Sequence, residues 1–338
     1  MIQGHGDDLF LFPKGQIKSN FSSNVYYGKD TKELFRHLNK QWHTLSNYPE
    51  PQPVSAEKEI AEMLQLTPDS VCLTNGATEA IYLIAQTFRE RRSGIFMPTF
   101  SEYGDACRLH MHKIIPLYDI ENLPDNLDIL WLCNPNNPTG QVFSISQIRQ
   151  SARRHPNTLF VIDHSYEHFT YQDLLTAHEA ATYPNIILLH SLTKTLALPG
   201  LRIGFLTGSP ELTSLIRLQR MPWSVNAMAI ETVHYVYNHP DILNFNLDAL
   251  LQEKDRVAQK LSEIPTIEVW PSETHMLLVR LRNGKASALK NYLAETHGIL
   301  IRDASNFQGL DEHFFRIAIQ SQEENNNLIN AIQEWILM

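Results

Sequence analysis

The most chemically suggestive stretch of the chain surrounds one lysine. In Ser191-Leu192-Thr193-Lys194-Thr195-Leu196-Ala197-Leu198-Pro199-Gly200-Leu201-Arg202-Ile203-Gly204, Lys194 follows two hydroxyl residues and precedes an arginine. A lysine amine can form a Schiff base with a carbonyl compound. Ser191, Thr193 and Arg202 can together hold a phosphate. An imine-forming lysine beside a phosphate site suggests pyridoxal 5′-phosphate (PLP). The competing reading is a surface lysine in a loop. The apolar run Ile186-Ile187-Leu188-Leu189 leads into the stretch and reads as a buried strand. Lys194 then sits just past a strand end, where α/β enzymes place their chemistry.

Other segments offer matching chemistry. Asn134-Pro135-Asn136-Asn137-Pro138-Thr139-Gly140 has the composition of a turn and follows the run Ile129-Leu130-Trp131-Leu132. It is either a rigid turn only, or it offers the Asn137 amide to an anionic oxygen at the sheet edge. The run Leu159-Phe160-Val161-Ile162 ends in Asp163, with Tyr166 close behind. A carboxylate there can pair with a protonated ring nitrogen and make the ring an electron sink. It can equally be a helix N-cap, and both roles need the same location. Thr74-Asn75-Gly76-Ala77-Thr78-Glu79-Ala80 joins a strand to a helix. Small residues at a helix start expose backbone N–H groups and the positive end of the dipole to an anion, and Glu79 in the first turn suits the same dipole. Tyr103, in Pro98-Thr99-Phe100-Ser101-Glu102-Tyr103, either stacks on an aromatic cofactor or simply packs.

The elements that must carry these residues follow from hydrophobic periodicity. Strands are predicted at Val71-Cys72-Leu73, Gly94-Ile95-Phe96-Met97, Ile129–Leu132, Leu159–Ile162, Ile186–Leu189 and Arg202-Ile203-Gly204-Phe205-Leu206, with helical patterns such as Thr78–Arg89 and Ile145–His155 between them. Such alternation predicts an α/β fold, a three-layer α/β/α large domain with a mostly parallel sheet. The pattern changes near Asn238. A long helix is predicted from about Ile242 to Ile264, followed by strands at Ile267-Glu268-Val269-Trp270, Met276–Arg280 and Phe314–Ile319. The expected division is a large domain over 43–237 and a smaller α+β domain made of 238–338 with residues 1–42, the latter read as an extended segment.

Bulk properties narrow the function. The chain has 338 residues, enough for a large core and two lobes. A net charge of −9 argues against a nucleic-acid partner. Cys72, Cys107 and Cys133 are odd in number and lie in apolar runs, which reads as small buried hydrophobes in a reducing compartment. No apolar run approaches the length of a membrane span, and the acidic, glycine-bearing start is unlike a signal peptide. A cytoplasmic protein without membrane contact is expected.

Asn-Pro-Asn-Asn-Pro-Thr-Gly at 134–140, Asp163 with Tyr166, and Ser-x-Thr-Lys with Gly-Leu-Arg-Ile-Gly at 191–204 occur in one order with suitable gaps. Together they resemble the fold-type I, aspartate-aminotransferase-like PLP enzymes over nearly the whole chain. The resemblance implies that Lys194 carries the cofactor imine and that Asp163 pairs with the pyridine nitrogen. It implies that Asn137 and Tyr166 bind the ring hydroxyl and that Tyr103 stacks on the ring. Gly76, Ala77, Thr78, Ser191, Thr193 and Arg202 are then the phosphate and cofactor contacts. Tyr48, in Asn47-Tyr48-Pro49-Glu50-Pro51, resembles a tyrosine that reaches a neighbouring subunit's phosphate, which implies a homodimer with shared sites. Arg316 resembles the arginine that grips the substrate carboxylate bidentately. The family usually reads Asp-Glu-Ala-Tyr where this chain has Asp163-His164-Ser165-Tyr166; Asp and Tyr are kept.

Two branches are similar: threonine-phosphate decarboxylases of cobalamin side-chain synthesis and histidinol-phosphate aminotransferases. Three segments favour the decarboxylases. His5-Gly6 is similar to their His-Gly-Gly opening, with Asp7 in place of the second glycine. Phe21-Ser22-Ser23-Asn24 is similar to a Phe-Ser-x-Asn segment, without the usual following Asn-Pro. Gly298–Phe307 resembles a segment reading Ile-Arg-Asp-Cys-Ser-Asn-Phe. The expected activity is decarboxylation of a small phosphorylated amino acid, L-threonine O-3-phosphate, with transamination as the alternative. His5, Gly6, Ser22, Ser23, Asn137, Arg302 and Arg316 are the candidate substrate contacts. In either case the Cα bond held perpendicular to the ring is the one that breaks, and Lys194 serves as acid or base.

Rival readings are weaker. His164-Ser165-Tyr166-Glu167-His168 matches an H-x-x-E-H zinc-peptidase pattern, but it follows a strand and lacks the helical period that puts both histidines on one face. No G-x-G-x-x-G follows a strand, against a dehydrogenase. A non-enzymatic PLP-binding sensor would come with a basic DNA-binding segment, and none is present.

Overall fold

The computed structural model describes residues 6–338, so His5 lies outside the described residues. Its largest sheet has seven strands in the order Val71–Asn75, Ile203–Gly208, Ile186–Ser191, Leu159–Asp163, Ile129–Cys133, Arg92–Phe96 and Lys113–Leu117. Ile203–Gly208 runs antiparallel to both neighbours, and the other pairings are parallel. The apolar runs are continuous because both faces of the sheet are covered. Alternate residues go to opposite cores. Ile129, Trp131, Val161, Ile187 and Leu189 pack on one side with Ala80, Ile81 and Ile84 of helix Gly76–Thr87. Leu130, Leu132, Phe160, Ile162, Ile186 and Leu188 pack on the other with Ile148 and Ala152 of helix Ile145–Arg154.

This topology gathers the chemistry at one edge. The parallel strands Ile129–Cys133, Leu159–Asp163 and Ile186–Ser191 all end there. The antiparallel Ile203–Gly208 begins there, with Ile203 opposite Asn75 and Gly204 opposite Ser191. Residues 75–78, 134–140, 163–166, 191–194 and 202 therefore converge, although they span more than a third of the chain.

A second, antiparallel sheet has the order Arg302–Asp303, Phe314–Ala318, Met276–Leu281 and Ile267–Val269. It packs with helices Leu247–Ser262 and Gln322–Ile336. The short strand Ser19–Asn20 pairs in parallel with Ile299–Leu300, and Phe21 O accepts from Ala318 N–H at 2.9 Å. The start of the described chain is thus stitched to its C-terminal third.

Two expectations need correction, and one strand joins those read from the sequence. Residues before Trp42 are not extended throughout: Lys32–Lys40 is a helix whose Leu34 and Leu38, one turn apart, are buried, and it packs on helix Ala227–Asn238. The long helix begins at Leu247, not near Ile242. Pro240–Leu243 is a separate 3-10 turn, and the Asn246 side chain caps the helix by accepting from Ala249 N–H. Lys113–Leu117 is an edge strand that the charged, proline-bearing sequence KIIPL conceals. Among the described residues, no helix is long and apolar enough to cross a membrane.

Candidate active site

A two-chambered cleft lies over this sheet edge, and Lys194, Asn24, Thr78, Phe100, Asn137 and Arg202 line both chambers. The inner chamber also meets Gly76, Ala77, Tyr103, Asp163, Tyr166, Ser191 and Thr193. Its anion-binding character comes from backbone geometry. Gly76 opens its helix at φ +80°, a region that favours glycine. A Cβ built there would come within 2.5 Å of Arg202 Nη2, and one at Gly204 within 2.2 Å of the Ala77 nitrogen. The missing side chains let the Arg202 guanidinium close on the start of helix Gly76–Thr87, where unpaired N–H groups and the dipole favour negative charge. Ser191 and Thr193 add two hydroxyls 2.8 Å apart. This cradle fits a phosphate.

Opposite the cradle, Asp163 is buried at its strand end. Its Oδ1 accepts from Ser165 N–H at 2.8 Å and its Oδ2 from Tyr103 Oη at 2.6 Å. An acid fixed at both oxygens is well placed to meet a ring cation. The Tyr103 ring stacks on Trp131, and burial raises its phenol pKa well above the ordinary value, with the Asp163 charge adding to the effect. Sequence alone points only to the face of that ring; the structure adds the hydroxyl as a brace for Asp163. Asn137 lies in a turn closed by Gly140 N–H to Asn136 O at 2.7 Å.

Lys194 stands between the chambers. Burial, reinforced by the Arg316 charge, lowers its amine to about 8. Its Nζ donates to Asn24 Oδ1 at 2.7 Å, and the Asn24 amide donates to Tyr166 Oη. Burial raises the Tyr166 phenol, so its hydroxyl stays protonated. In the sequence Asn24 stands out only as part of a Phe-Ser-x-Asn segment. His275 was missed altogether: it stacks on Phe169 with ring centroids 4.0 Å apart and bonds Asn24 O at 3.2 Å. A lone histidine at a strand start gives no signal of that role.

The outer chamber is lined by Gly6, Asp7, Ser22, Ser23, Arg302, Asn306 and Arg316. Arg316 is buried, and both its hydrogen bonds go to neutral oxygens, Asn137 Oδ1 at 2.7 Å and Ser22 O. Among the described residues, its buried Nε has no partner. A buried guanidinium facing neutral acceptors is costly until an anion arrives. Burial lowers its pKa. Arg302 bonds Asn306 Oδ1 at 2.8 Å and lies over the Phe307 ring; burial and the Arg316 charge bring it down to about 10. Two buried guanidinium groups in one chamber can take a substrate with two anionic ends.

Not every expected residue enters this cleft. Tyr48 is 84% exposed and tilts against Trp223, outside both chambers of its own chain. The H-x-x-E-H stretch does not form a helical ligand face. Glu167 opens a 3-10 turn and pairs with His190 at 3.0 Å. Burial opposes its ionisation, yet the charge and hydrogen bond of His190 outweigh burial and hold it near 2. Among the described residues, no group of three or more His, Cys, Asp and Glu side chains is disposed to hold a metal ion.

Comparison with known proteins follows the same lines. The family described as "Aminotransferase class I and II" matches residues 16–332. The threonine-phosphate decarboxylase of Salmonella typhimurium is 30% identical over 93% of this chain and 90% of its own. The adenosylcobalamin biosynthesis bifunctional protein CobDQ of Leptospira interrogans is 29% identical over 92% of this chain, which spans only 38% of that longer protein. The crystal structure of L-threonine-O-3-phosphate decarboxylase from Porphyromonas gingivalis superposes with a TM-score of 0.93 at 34% identity, covering 95% of this chain and all of that one. The histidinol-phosphate aminotransferase from Clostridium acetobutylicum gives 0.83 at 25% identity, covering 93% and 98%. A match of that extent, on a sheet edge built this way, makes the chain a member of the class I and II aminotransferase family, the fold-type I enzymes whose cofactor is PLP.

Proposed function

We propose that this protein decarboxylates L-threonine O-3-phosphate to (R)-1-aminopropan-2-yl phosphate, a step of cobalamin side-chain synthesis in the cytoplasm. The observation that carries the reading is the outer chamber, where Arg302 and Arg316 open onto the same space as the Lys194 amine. An amino-acid phosphate carries an amine and two anions, and the chamber offers one partner for each. The 34% identity to a decarboxylase of known structure supports the same choice.

Lys194 would hold the cofactor carbonyl, Asp163 the ring nitrogen, Asn137 and Tyr166 the ring hydroxyl, and Gly76, Ala77, Thr78, Ser191, Thr193 and Arg202 the phosphate. Tyr103, whose hydroxyl braces Asp163, would cover the ring. When bound, PLP supplies an electron sink for the pair left at Cα. The chain's own residues do the rest. Arg316, joined to Asn137 and Ser22, grips one anion of the substrate, and Arg302, with Ser23 and Gly6 beside it, the other. Loss of the carboxylate as carbon dioxide leaves Cα one proton short, and Lys194 returns that proton. With its pKa near 8, the amine is charged in part and neutral in part at physiological pH, as proton transfer in both directions requires.

The working form is a homodimer in which Tyr48 completes the partner's phosphate site. The exposed Tyr48 and Trp223, which lie against each other, support this, since large apolar side chains grouped at a surface mark an interface. The division into a large domain over 43–237 and a small one over 238–338 with 1–42 belongs to the same reading, with helix Lys32–Lys40 resting on the large side.

The test offers L-threonine phosphate to purified holoenzyme without any keto acid. Carbon dioxide release with the cofactor kept in its aldehyde form is expected. Conversion to the pyridoxamine form, with turnover that requires 2-oxoglutarate, overturns decarboxylation in favour of a transaminase of the histidinol-phosphate type.

A further inference from the structure

Residues 22–26 form a strap across Lys194. Tyr26 N–H donates to Lys194 O at 2.9 Å, and Asn24 Oδ1 accepts from Lys194 Nζ at 2.7 Å, so one short segment ties both the backbone and the amine of this lysine. The same segment accepts from Arg316 through Ser22 O. Asn24 is itself pinned. Its Nδ2 donates to Tyr166 Oη, and its carbonyl accepts from His275 Nε2 at 3.2 Å. His275 is fully buried, and among the described residues its Nδ1 has no partner. The ring nitrogen facing Asn24 O must carry the hydrogen.

The charged form of Lys194 sets the polarity of the Asn24 amide. In its ammonium form Lys194 offers donors only, so the amide then turns its oxygen to Lys194 and its N–H₂ to Tyr166. Tyr166 Oη then accepts from Asn24, which leaves its own hydrogen to point elsewhere. We infer that Asn24 is a positioning residue that holds the released Lys194 amine in place and, through its amide polarity, directs the Tyr166 hydrogen into the inner chamber, toward the cofactor's ring oxygen. This rests on the reading of Lys194 as the imine-forming residue.

The inference separates two substitutions by sign. Asn24→Asp places a second acceptor and a negative charge beside Lys194. It favours the ammonium form and draws the Tyr166 hydrogen to itself. Asn24→Ala removes the acceptor and favours the neutral amine. The experiment uses cofactor-free protein, adds PLP, and follows the imine absorbance as a function of pH. Asn24→Asp is expected to move the midpoint for imine formation up by about one unit, slowing formation at neutral pH about tenfold. Asn24→Ala is expected to move the midpoint down. In the loaded protein, Asn24→Asp also displaces the pH midpoint of the absorbance band, and that displacement shrinks in a Tyr166→Phe background, which has no hydrogen to redirect. A purely structural Asn24 would change the melting temperature and leave these midpoints alone. An unmoved midpoint in either folded variant overturns the inference. Lys194→Ala is run alongside: if it keeps the absorbance band, the reading of Lys194 falls instead, independently of Asn24.

Discussion

The two ends of the cleft are built by different means. The inner end comes mostly from the turns of one sheet, within residues 75–204, where Gly76 and Gly204 leave backbone groups and the Arg202 guanidinium close together. The outer end comes from residues 6–24 and 302–316, brought together by the pairing of Ser19–Asn20 with Ile299–Leu300. It relies on long charged side chains. The first construction is fixed by sheet geometry and suits a permanent occupant. The second depends on side-chain identity and suits a choice among substrates.

Substitutions can break or sharpen this contrast. The largest effect is expected from Lys194→Ala, which should abolish both turnover and the imine absorbance, read by spectrophotometry of the purified protein. Next comes Arg316→Gln. Removing a buried guanidinium that binds an anion costs about 2–5 kcal/mol, so kcat/KM for L-threonine phosphate should fall at least about thirtyfold, while PLP affinity measured by titration stays near that of the wild type. A parallel loss of cofactor would show that the two ends are not separate. Gly76→Ala should do the reverse. It sets a methyl against Arg202 and asks alanine to adopt a positive φ, at about 1–2 kcal/mol. Cofactor affinity measured by titration should weaken, and KM at saturating PLP should hold.

A smaller effect concerns stability and pH. The folded amine of Lys194 titrates near 8 against 10.5 when unfolded. Between those values the unfolded chain binds more protons, so the stability of cofactor-free protein rises with pH across that window. Lys194→Met should therefore raise the melting temperature of cofactor-free protein most below pH 8, with the gain fading toward pH 10.5. A gain independent of pH would trace the effect to packing instead.

The sequence was legible where chemistry and periodicity coincide. Asp163, Asn137 and Lys194 each follow an apolar run, so reading the strands places the residues. The run Ile129–Cys133 could hardly be anything but a doubly covered strand. The rest was hidden for identifiable reasons. Helix Lys32–Lys40 buries only Leu34 and Leu38 and is otherwise polar. The apolar Ile242 and Leu243 extend the pattern of helix Leu247–Ser262 backwards, while the local break depends on Pro240 and the Asn246 cap. Asn24 and His275 are 251 positions apart, and no local pattern joins them; only the finished sheet does. Tyr103 offered a ring that could stack, and its bond to Asp163 spans 60 positions.

The pairing of Ser19–Asn20 with Ile299–Leu300 has a consequence for biosynthesis. Chains emerge from the ribosome N-terminus first, so residues 19–24 leave it long before their partners at 299–318 exist. The sheet around Lys194 can form earlier, from segments already made. The seven-stranded sheet that carries Lys194 is therefore complete in sequence well before the pairing that closes the chamber of Arg302 and Arg316, which is the last part of the cleft the growing chain can assemble.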